Sequence, residues 1–441
     1  MRVTVTGTGY VGLVTGVCLA EVGHSVICYD VDQPKIEKLK AGISPIYEPG
    51  LEELIRKNLD QNRLSFTSRV EQAYQDQEII IVAVGTPEKE DGSANLCYLE
   101  RAAEQIGKSI NRDTVVVIKS TVPIGTNEKI IKQIRGIVPP EINVEIVSNP
   151  EFLREGAGIE DTFNGERIVI GSNHDEAAKL VEELYQPFSI PVVRTDLRSA
   201  EMIKYASNTF LATKISFINE MANLCEKMGS NIEDVALGMG LDSRIGHQFL
   251  RAGIGFGGSC FPKDTKALEN IANQNDFEFK ILQSVIEVNS EQKQKLFVRA
   301  KELMGSVTGK KAAVLGLAFK PNTDDVREAP SIDLINSLLN EQAEVVAYDP
   351  VASEKMKSIF EERIEYASSP ELAIEDAELA FIVTEWPQIK RMPLELFKDR
   401  MKTPIILDGR NCYSLEEARS ARVSYISIGR EKIIHFQKVK R

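Results

Sequence analysis

Val3-Thr4-Val5-Thr6-Gly7-Thr8-Gly9-Tyr10-Val11-Gly12 runs from a β-branched strand into a G-x-G-x-x-G turn, and residues 12–22 then read as a helix. Each glycine has its own task in such a turn. Gly7 permits the tight bend, Gly9 lets the backbone approach a pyrophosphate, and Gly12 packs helix on strand. The helix N-terminus adds N–H donors and partial positive charge for phosphates. Residues 25–30 form the next strand and end on Asp30, 18 residues beyond Gly12. A ribose-binding carboxylate belongs there, and an acid favours NAD because it repels the extra phosphate of NADP. The bland alternative is a glycine turn followed by an Asp that caps the next turn. The strand, turn and helix context weighs against it.

Working outward, residues 78–84, 114–119 and 144–147 are further apolar strands. Continuous apolar strands separated by helices indicate a parallel sheet covered on both faces. Residues 200–228 then contain neither Pro nor Gly and read as one long, largely buried helix, stopped by Gly229. Helices over 232–237, 263–272 and 281–303 follow, interrupted by the glycine-rich 253–258. Strands return at 311–315, 344–349, 379–384 and 404–408, with a helix at 331–340. The expected fold class is α/β, with two Rossmann-like doubly wound domains joined by a helical central domain with a long connecting helix. The expected bounds are 1–198, 199–305 and 306–441, and two such halves suggest a ligand cleft.

Composition narrows the function. The 441 residues carry 53 Lys+Arg against 65 Asp+Glu, a formal charge of -12. That balance argues against nucleic acid or an anionic membrane as partner, so an anionic ligand must meet cations gathered locally. No apolar run reaches the ~18 residues of a transmembrane helix. The opening lacks the apolar core and cleavage site of a signal peptide, so a cytoplasmic protein is expected. Cys18, Cys28, Cys97, Cys225, Cys260 and Cys412 are scattered, with no metal-ligand spacing, and no metal is expected. Five of them read as inert thiols.

Cys260 is the exception. In Ile254-Gly255-Phe256-Gly257-Gly258-Ser259-Cys260-Phe261-Pro262-Lys263-Asp264, a thiol follows glycines that admit a ligand and precedes a helix. A helix N-terminus and Lys263 both favour the nucleophilic thiolate. Asp264 is placed as a base or water-positioning group. A structural Cys with a capping Asp is the alternative. Lys204 and Asn208, at i and i+4, share one face of the long helix and need polar partners there, such as a developing oxyanion. The alternative is a Lys paired with Glu201 at a solvated edge. Thr86 and Thr121 follow strands at the edge where open parallel sheets bind ligands, or simply stabilise turns before Pro87 and Pro123. Asn149-Pro150-Glu151-Phe152-Leu153-Arg154-Glu155-Gly156 holds two acids four apart after a strand. Gly316-Leu317-Ala318-Phe319-Lys320 lacks the second and third glycines, so the second α/β half should not bind a dinucleotide the same way. Lys320 and Arg327 could still hold anionic groups there.

Together these motifs resemble the UDP-glucose/GDP-mannose dehydrogenase family over nearly the whole chain. The glycine fingerprint, Ser148-Asn-Pro-Glu-Phe-Leu-Arg-Glu-Gly156, Lys204-Tyr-Ala-Ser-Asn208 and Gly255-Phe-Gly-Gly-Ser-Cys-Phe-Pro-Lys-Asp264 occur in the family's order. The resemblance implies oxidation of the C6 alcohol of UDP-glucose to a carboxylate with two NAD+ reduced, supplying a uronic acid for polysaccharide biosynthesis. It makes Cys260 the nucleophile and Lys204 and Asn208 the oxyanion holders. Asp264 and Thr121 would organise the water, and Glu151 is a further candidate base. Gly7, Gly9, Tyr10, Val11, Gly12, Asp30, Lys35, Thr86, Thr121, Glu155, Lys263 and Arg327 resemble cofactor contacts. Glu151, Phe152, Leu153, Lys204, Asn208, Phe249, Leu250, Arg251, Ala252, Gly253, Gly257 and Lys320 resemble substrate contacts, and Arg244 an arginine that reaches a neighbouring subunit's substrate. A homodimer or higher oligomer through the long helix is implied. Rival readings are a GDP-mannose or UDP-N-acetylhexosamine dehydrogenase, a binding protein without chemistry, and a two-electron hydroxyacid dehydrogenase. Ser259 stands where the hexosaminuronate enzymes typically have His.

Overall fold

The computed structural model describes residues 1–435. The chain folds into two compact units. One comprises Met1–Ser207 with Asn270–Asn275, the other Asn208–Glu269 with the chain from Asp276 onward.

The first unit is built on an eight-stranded sheet. Its strands are β1 (Arg2–Thr6), β2 (Ser25–Tyr29), β3 (Leu64–Thr67), β4 (Ile79–Val82), β5 (Thr114–Ile118), β6 (Val144–Ser148), β7 (Ile168–Gly171) and β8 (Val192–Thr195), in the order 3-2-1-4-5-6-7-8. Alternation on β1 sends Val3 and Val5 to one apolar face with Leu13, Val17 and Cys28. Thr4 and Thr6 point to the other face. Each is buried and keeps its hydroxyl bonded, to Ala73 O and to Tyr74 OH respectively. The opposite face gathers Ile80, Val82, Val116 and Ile118.

Pairing is parallel except between β6 and β7, which meet antiparallel at Ser148 and Gly171. The strands expected from sequence, β1, β2, β4, β5 and β6, pair in parallel, and the reversal falls on β7, which no sequence signal marked. The one helix between β6 and β7, Gly158–Phe163, is about 9 Å long and does not by itself return the chain across the sheet; after it and the loop 149–157, β7 starts from the edge where β6 ended.

The second unit holds a six-stranded, all-parallel sheet. It comprises β9 (Lys311–Leu315), β10 (Glu344–Tyr348), β11 (Glu365–Tyr366), β12 (Leu379–Ile382), β13 (Ile405–Asp408) and β14 (Ser424–Ser427), in the order 11-10-9-12-13-14. The same rule of one crossover on each side of the first strand thus applies in both units.

The long helix runs Leu197–Met228 and stops at Gly229, whose φ of +73° suits glycine. It is not buried all round. Ala212, Ile218, Ala222 and Cys225 are buried, but Phe210, Phe217 and Leu224, spaced by seven, lie half or more exposed on one stripe. Helices Ile232–Gly240, Phe261–Gln274 and Lys280–Met304 complete the helical section. No helix among the described residues is long and apolar enough to cross a membrane.

Candidate active site

In the first unit the three glycines divide their labour as the motif requires. Gly7 has φ +95°, and a Cβ there would lie 2.6 Å from Ala83 O. A Cβ on Gly12 would fall 1.9 Å from Gly7 O, so only glycine lets the helix Tyr10–Glu21 pack this close. Gly9 differs: a Cβ would meet nothing within 4 Å, leaving open space at the helix N-terminus. That open face with its N–H donors fits a pyrophosphate. Val11 follows in the first turn of the same helix.

Asp30 closes the pattern. Its Oδ2 accepts from Thr8 N–H at 2.8 Å, Thr8 Oγ1 at 2.7 Å and Lys35 Nζ at 3.0 Å, while Oδ1 accepts from Asp32 N–H at 3.0 Å. Burial alone would raise this carboxyl, but the hydrogen bonds from Thr8, Asp32 and Lys35 outweigh it and hold it below the ordinary range. The acid is therefore ionised and aimed at the glycine turn. A dinucleotide fits these residues.

Thr86 and Thr121 lie on loops joined to each other, Thr86 Oγ1 donating to Thr121 O at 2.9 Å. Ser120 Oγ donates to Val84 O at 2.7 Å and fixes the same edge. Glu151 is buried; its Oε1 accepts from Lys204 Nζ at 3.0 Å and its Oε2 from Leu153 N–H at 2.6 Å. The Phe152 ring lies 5.4 Å from Lys204 Nζ and 3.8 Å from the Arg167 guanidinium. Lys204 is thus neither at a solvated edge nor paired with Glu201. Glu201 instead accepts from Asn127 N–H at 2.9 Å and from Gly125 N–H. The half-buried Glu155 lies farther along the Glu151 loop.

In the second unit the glycine-rich loop is clamped by amide side chains from two helices. Asn219 Oδ1 accepts from Gly253 N–H at 2.8 Å, Gln292 donates to Gly253 O at 2.6 Å, and Asn289 bonds both Phe256 N–H and Phe256 O. Gly257 lies against Glu328 O, where a Cβ would be 2.3 Å away. Cys260 is half-buried at the head of the helix that starts at Phe261, its carbonyl accepting from Asp264 N–H at 2.8 Å. Asp264 is 1% exposed and holds Lys263 Nζ at 2.6 Å on one oxygen and Asn208 Nδ2 at 2.6 Å on the other. A nucleophile-type thiol and an anchored carboxylate therefore share one helical turn. Burial pushes the thiols of Cys18 and Cys28 up to about 12, and that of Cys412 up as well. None of the six cysteines forms a disulfide.

The remaining substrate candidates divide. Arg251 donates to Arg410 O at 2.8 Å and meets Glu385. Leu250 and Ala252 are buried side chains, and with Arg251, His247 and Asn411 they line a cavity of about 310 Å³. Phe249 has φ +64° and packs its ring 6.2 Å from that of Phe261. Lys320 Nζ sits 5.4 Å from the Phe319 ring. Arg327 forks onto Asp325 at 2.8 and 2.7 Å. Arg244 is not gathered with these; its side chain is 87% exposed and forks onto Asp242.

Asp349 explains why the second sheet is not a second dinucleotide site. It stands after β10 as Asp30 stands after β2. Its oxygens, however, accept from Leu317, Ala318, Val351 and Ala352 N–H groups and from Trp386 Nε1, all at 2.7–3.0 Å. With five donors already present, it has little left for a ribose. Arg410, whose guanidinium Nη1 lies 3.2 Å from where a Gly253 Cβ would be, was missed in the sequence. Asp408-Gly409-Arg410 at the end of β13 was the available signal.

Comparison with known proteins agrees along the chain. Models of the UDP-glucose/GDP-mannose dehydrogenase family match its NAD binding domain to residues 1–189, its central domain to 198–291 and its UDP binding domain to 313–415. The UDP-glucose 6-dehydrogenase YwqF of Bacillus subtilis is 54% identical over 98% of this chain and 99% of its own. A UDP-glucose 6-dehydrogenase of Rhizobium meliloti is 44% identical over 98% of this chain and 100% of its own. A UDP-glucose dehydrogenase structure from Pyrobaculum islandicum superposes with a TM-score of 0.92 at 39% identity, covering 98% of each chain. Both the fingerprint turn and the thiol loop lie inside the matched segments, and the chain belongs to the UDP-glucose/GDP-mannose dehydrogenase family.

Proposed function

We propose that this chain oxidises UDP-glucose to UDP-glucuronate. In the balanced reaction the C6 alcohol, two NAD+ and one water give the carboxylate, two NADH and three protons. Bound NAD+ supplies the oxidant, accepting a hydride in each of two successive oxidations. Everything else falls to side chains. Lys204 and Asn208 hold the oxygen at C6 as negative charge develops there. The first oxidation stops at an aldehyde, which has no good hydride to lose. Cys260 thiolate adds to that carbonyl; the C–S bond forms, the C=O π bond breaks, and the oxygen takes a proton. The resulting thiohemiacetal carries a transferable hydrogen, and its oxidation leaves a thioester. Asp264 acts on the water that cleaves the C–S bond and returns the thiolate, with Thr121 and Glu151 as further candidates for proton transfer.

One observation carries this reading: Cys260 and the buried, doubly anchored Asp264 lie within one turn at the head of a helix. The hydroxyacid dehydrogenase and binding-protein readings have no use for that pair. The remaining assignments keep their roles, with Gly7, Gly9, Tyr10, Val11, Gly12, Asp30, Lys35, Thr86, Glu155, Lys263 and Arg327 on the cofactor. Phe152, Leu153, Arg244, Phe249 to Gly253, Gly257 and Lys320 serve the sugar nucleotide. Three functional parts, 1–198, 199–305 and 306–441, follow from this division. Acid-quenched turnover of Asp264→Asn tests it, because slowing hydrolysis by about 10²–10⁴-fold should let an acyl adduct accumulate. The Cys260 peptide should gain the mass of the substrate acyl group; an unmodified peptide during turnover would refute the covalent route.

The exposed stripe of Phe210, Phe217 and Leu224, with exposed Leu237 on the next helix and Leu241 just beyond its end, supports a homodimer built on these apolar side chains. Six cysteines with no disulfide among them support a cytoplasmic location.

A further inference from the structure

Glu48 precedes the helix Leu51–Asp60, and no motif marks it. Its side chain is nonetheless buried, at 7% exposure. A buried carboxylate is costly unless several donors meet it. Oε2 accepts from the Tyr10 hydroxyl and from Gly156 N–H at 2.7 Å. Oε1 accepts from Gly158 N–H at 2.7 Å and more weakly from Ile159 N–H at 3.4 Å. The Tyr10 oxygen also accepts from Gly156 N–H at 2.5 Å. Gly158 lets the ring come this close, since a Cβ there would lie 3.0 Å from the Tyr10 oxygen.

Capping the short helix Gly158–Phe163 would need only the Gly158 and Ile159 N–H groups. The bonds to Tyr10 and Gly156 go further. Tyr10 is the first residue of the helix whose N-terminus faces the open space at Gly9. Gly156 follows directly on Glu155. Glu48 therefore links the pyrophosphate turn to the loop bearing Glu151 and Glu155.

We infer that Glu48, acting through Tyr10 and Gly156, is a positioning residue that sets the Glu151–Glu155 loop against the dinucleotide turn, an inference that rests on the NAD-site reading above. Glu48→Gln keeps the size but turns one acceptor into an NH₂ facing N–H donors. Tyr10→Phe keeps the ring and removes only the hydroxyl. NAD+ binding to the full chain is titrated directly by calorimetry, with the melting midpoint recorded alongside. Each variant should weaken NAD+ binding about tenfold, and the double variant should be little worse than the poorer single one, because both break one link. The KM for NAD+ should rise more than kcat falls. A lowered melting midpoint with unchanged NAD+ affinity, or additive losses in the double variant, would overturn the inference. If the parent binds NAD+ but leaves UDP-glucose unoxidised, the substrate reading fails, while the titration still decides for or against Glu48.

Discussion

Replacing Asp30 by Asn changes the charge at the ribose edge while leaving an amide oxygen to accept from Thr8. In the parent, Asp30 and Lys35 lie 3.0 Å apart and nearly cancel. The variant leaves Lys35 with its full positive charge. The 2′-phosphate of NADP brings about 1.5–2 negative charges at neutral pH. Unit charges 4 Å apart are worth about 1 kcal/mol in a water-like medium and about 4 kcal/mol at a typical protein surface. The lower figure is the safer choice, because the Lys35 side chain is 28% exposed. It gives about 1.5–2 kcal/mol in favour of NADP, or roughly 10–30-fold. NAD+ meanwhile loses a charge-assisted hydrogen bond worth about 1.5–3 kcal/mol, a further tenfold or more. The NAD+ over NADP+ ratio of kcat/KM should therefore fall by at least about 100-fold. Initial rates of nicotinamide reduction at saturating UDP-glucose measure it, with the melting midpoint as control for folding. A ratio that stays within about threefold, with kcat/KM for NAD+ intact, would refute the placement of the ribose at Asp30.

Four further outcomes follow from the same structure. Cys260→Ser should lower turnover by on the order of 10³ or more in a steady-state assay, with the fold unchanged by circular dichroism. Asp349→Ala strands the N–H groups of Leu317 and Ala318, at about 1–3 kcal/mol each, so urea unfolding should show a loss of about 2–6 kcal/mol. Phe217→Asp puts a charge into the exposed stripe proposed above as a dimer face; sedimentation should show the parent as an oligomer and the variant shifted toward monomer, and a monomeric parent would refute that proposal. Asp30 titrates below its unfolded value, so its contribution to stability is complete above that value and is lost as pH falls through the lowered one; Asp30→Asn should flatten that part of the stability profile.

Much of the fold was legible because its signals are local. The β1 turn, the long Pro- and Gly-free helix and strands β9, β10, β12 and β13 all announce themselves within a dozen residues. Strands β3, β7, β8, β11 and β14 did not. Each has at most four residues, and Leu64-Ser-Phe-Thr67 or Val192-Val-Arg-Thr195 has too little periodicity to distinguish strand from loop. The reversal at β7 depends on how far a six-residue helix can carry the chain, which only the packed structure decides.

The site was legible where chemistry requires a residue type at a fixed spacing. Gly7, Gly9, Gly12, Asp30 and the 253–264 loop are of this kind. Sequence placed Lys204 on the right helix, but the only protein partner it offered, as the alternative to an oxyanion, was Glu201, because a neighbour in sequence is the only one visible there. The partner found is Glu151, 53 residues away. Glu48 and Asp349 were unreadable for the same reason: their importance lies in the donors that converge on them from distant segments.

The most direct test of the central claim is a count. A limiting, known amount of UDP-glucose is incubated with the protein and excess NAD+ until reduction ends. Two NADH per sugar are expected, the second arising only because Cys260 converts the aldehyde into something that can lose hydride again. One NADH per sugar would mean that oxidation stops at the aldehyde, and the thiol mechanism would be contradicted.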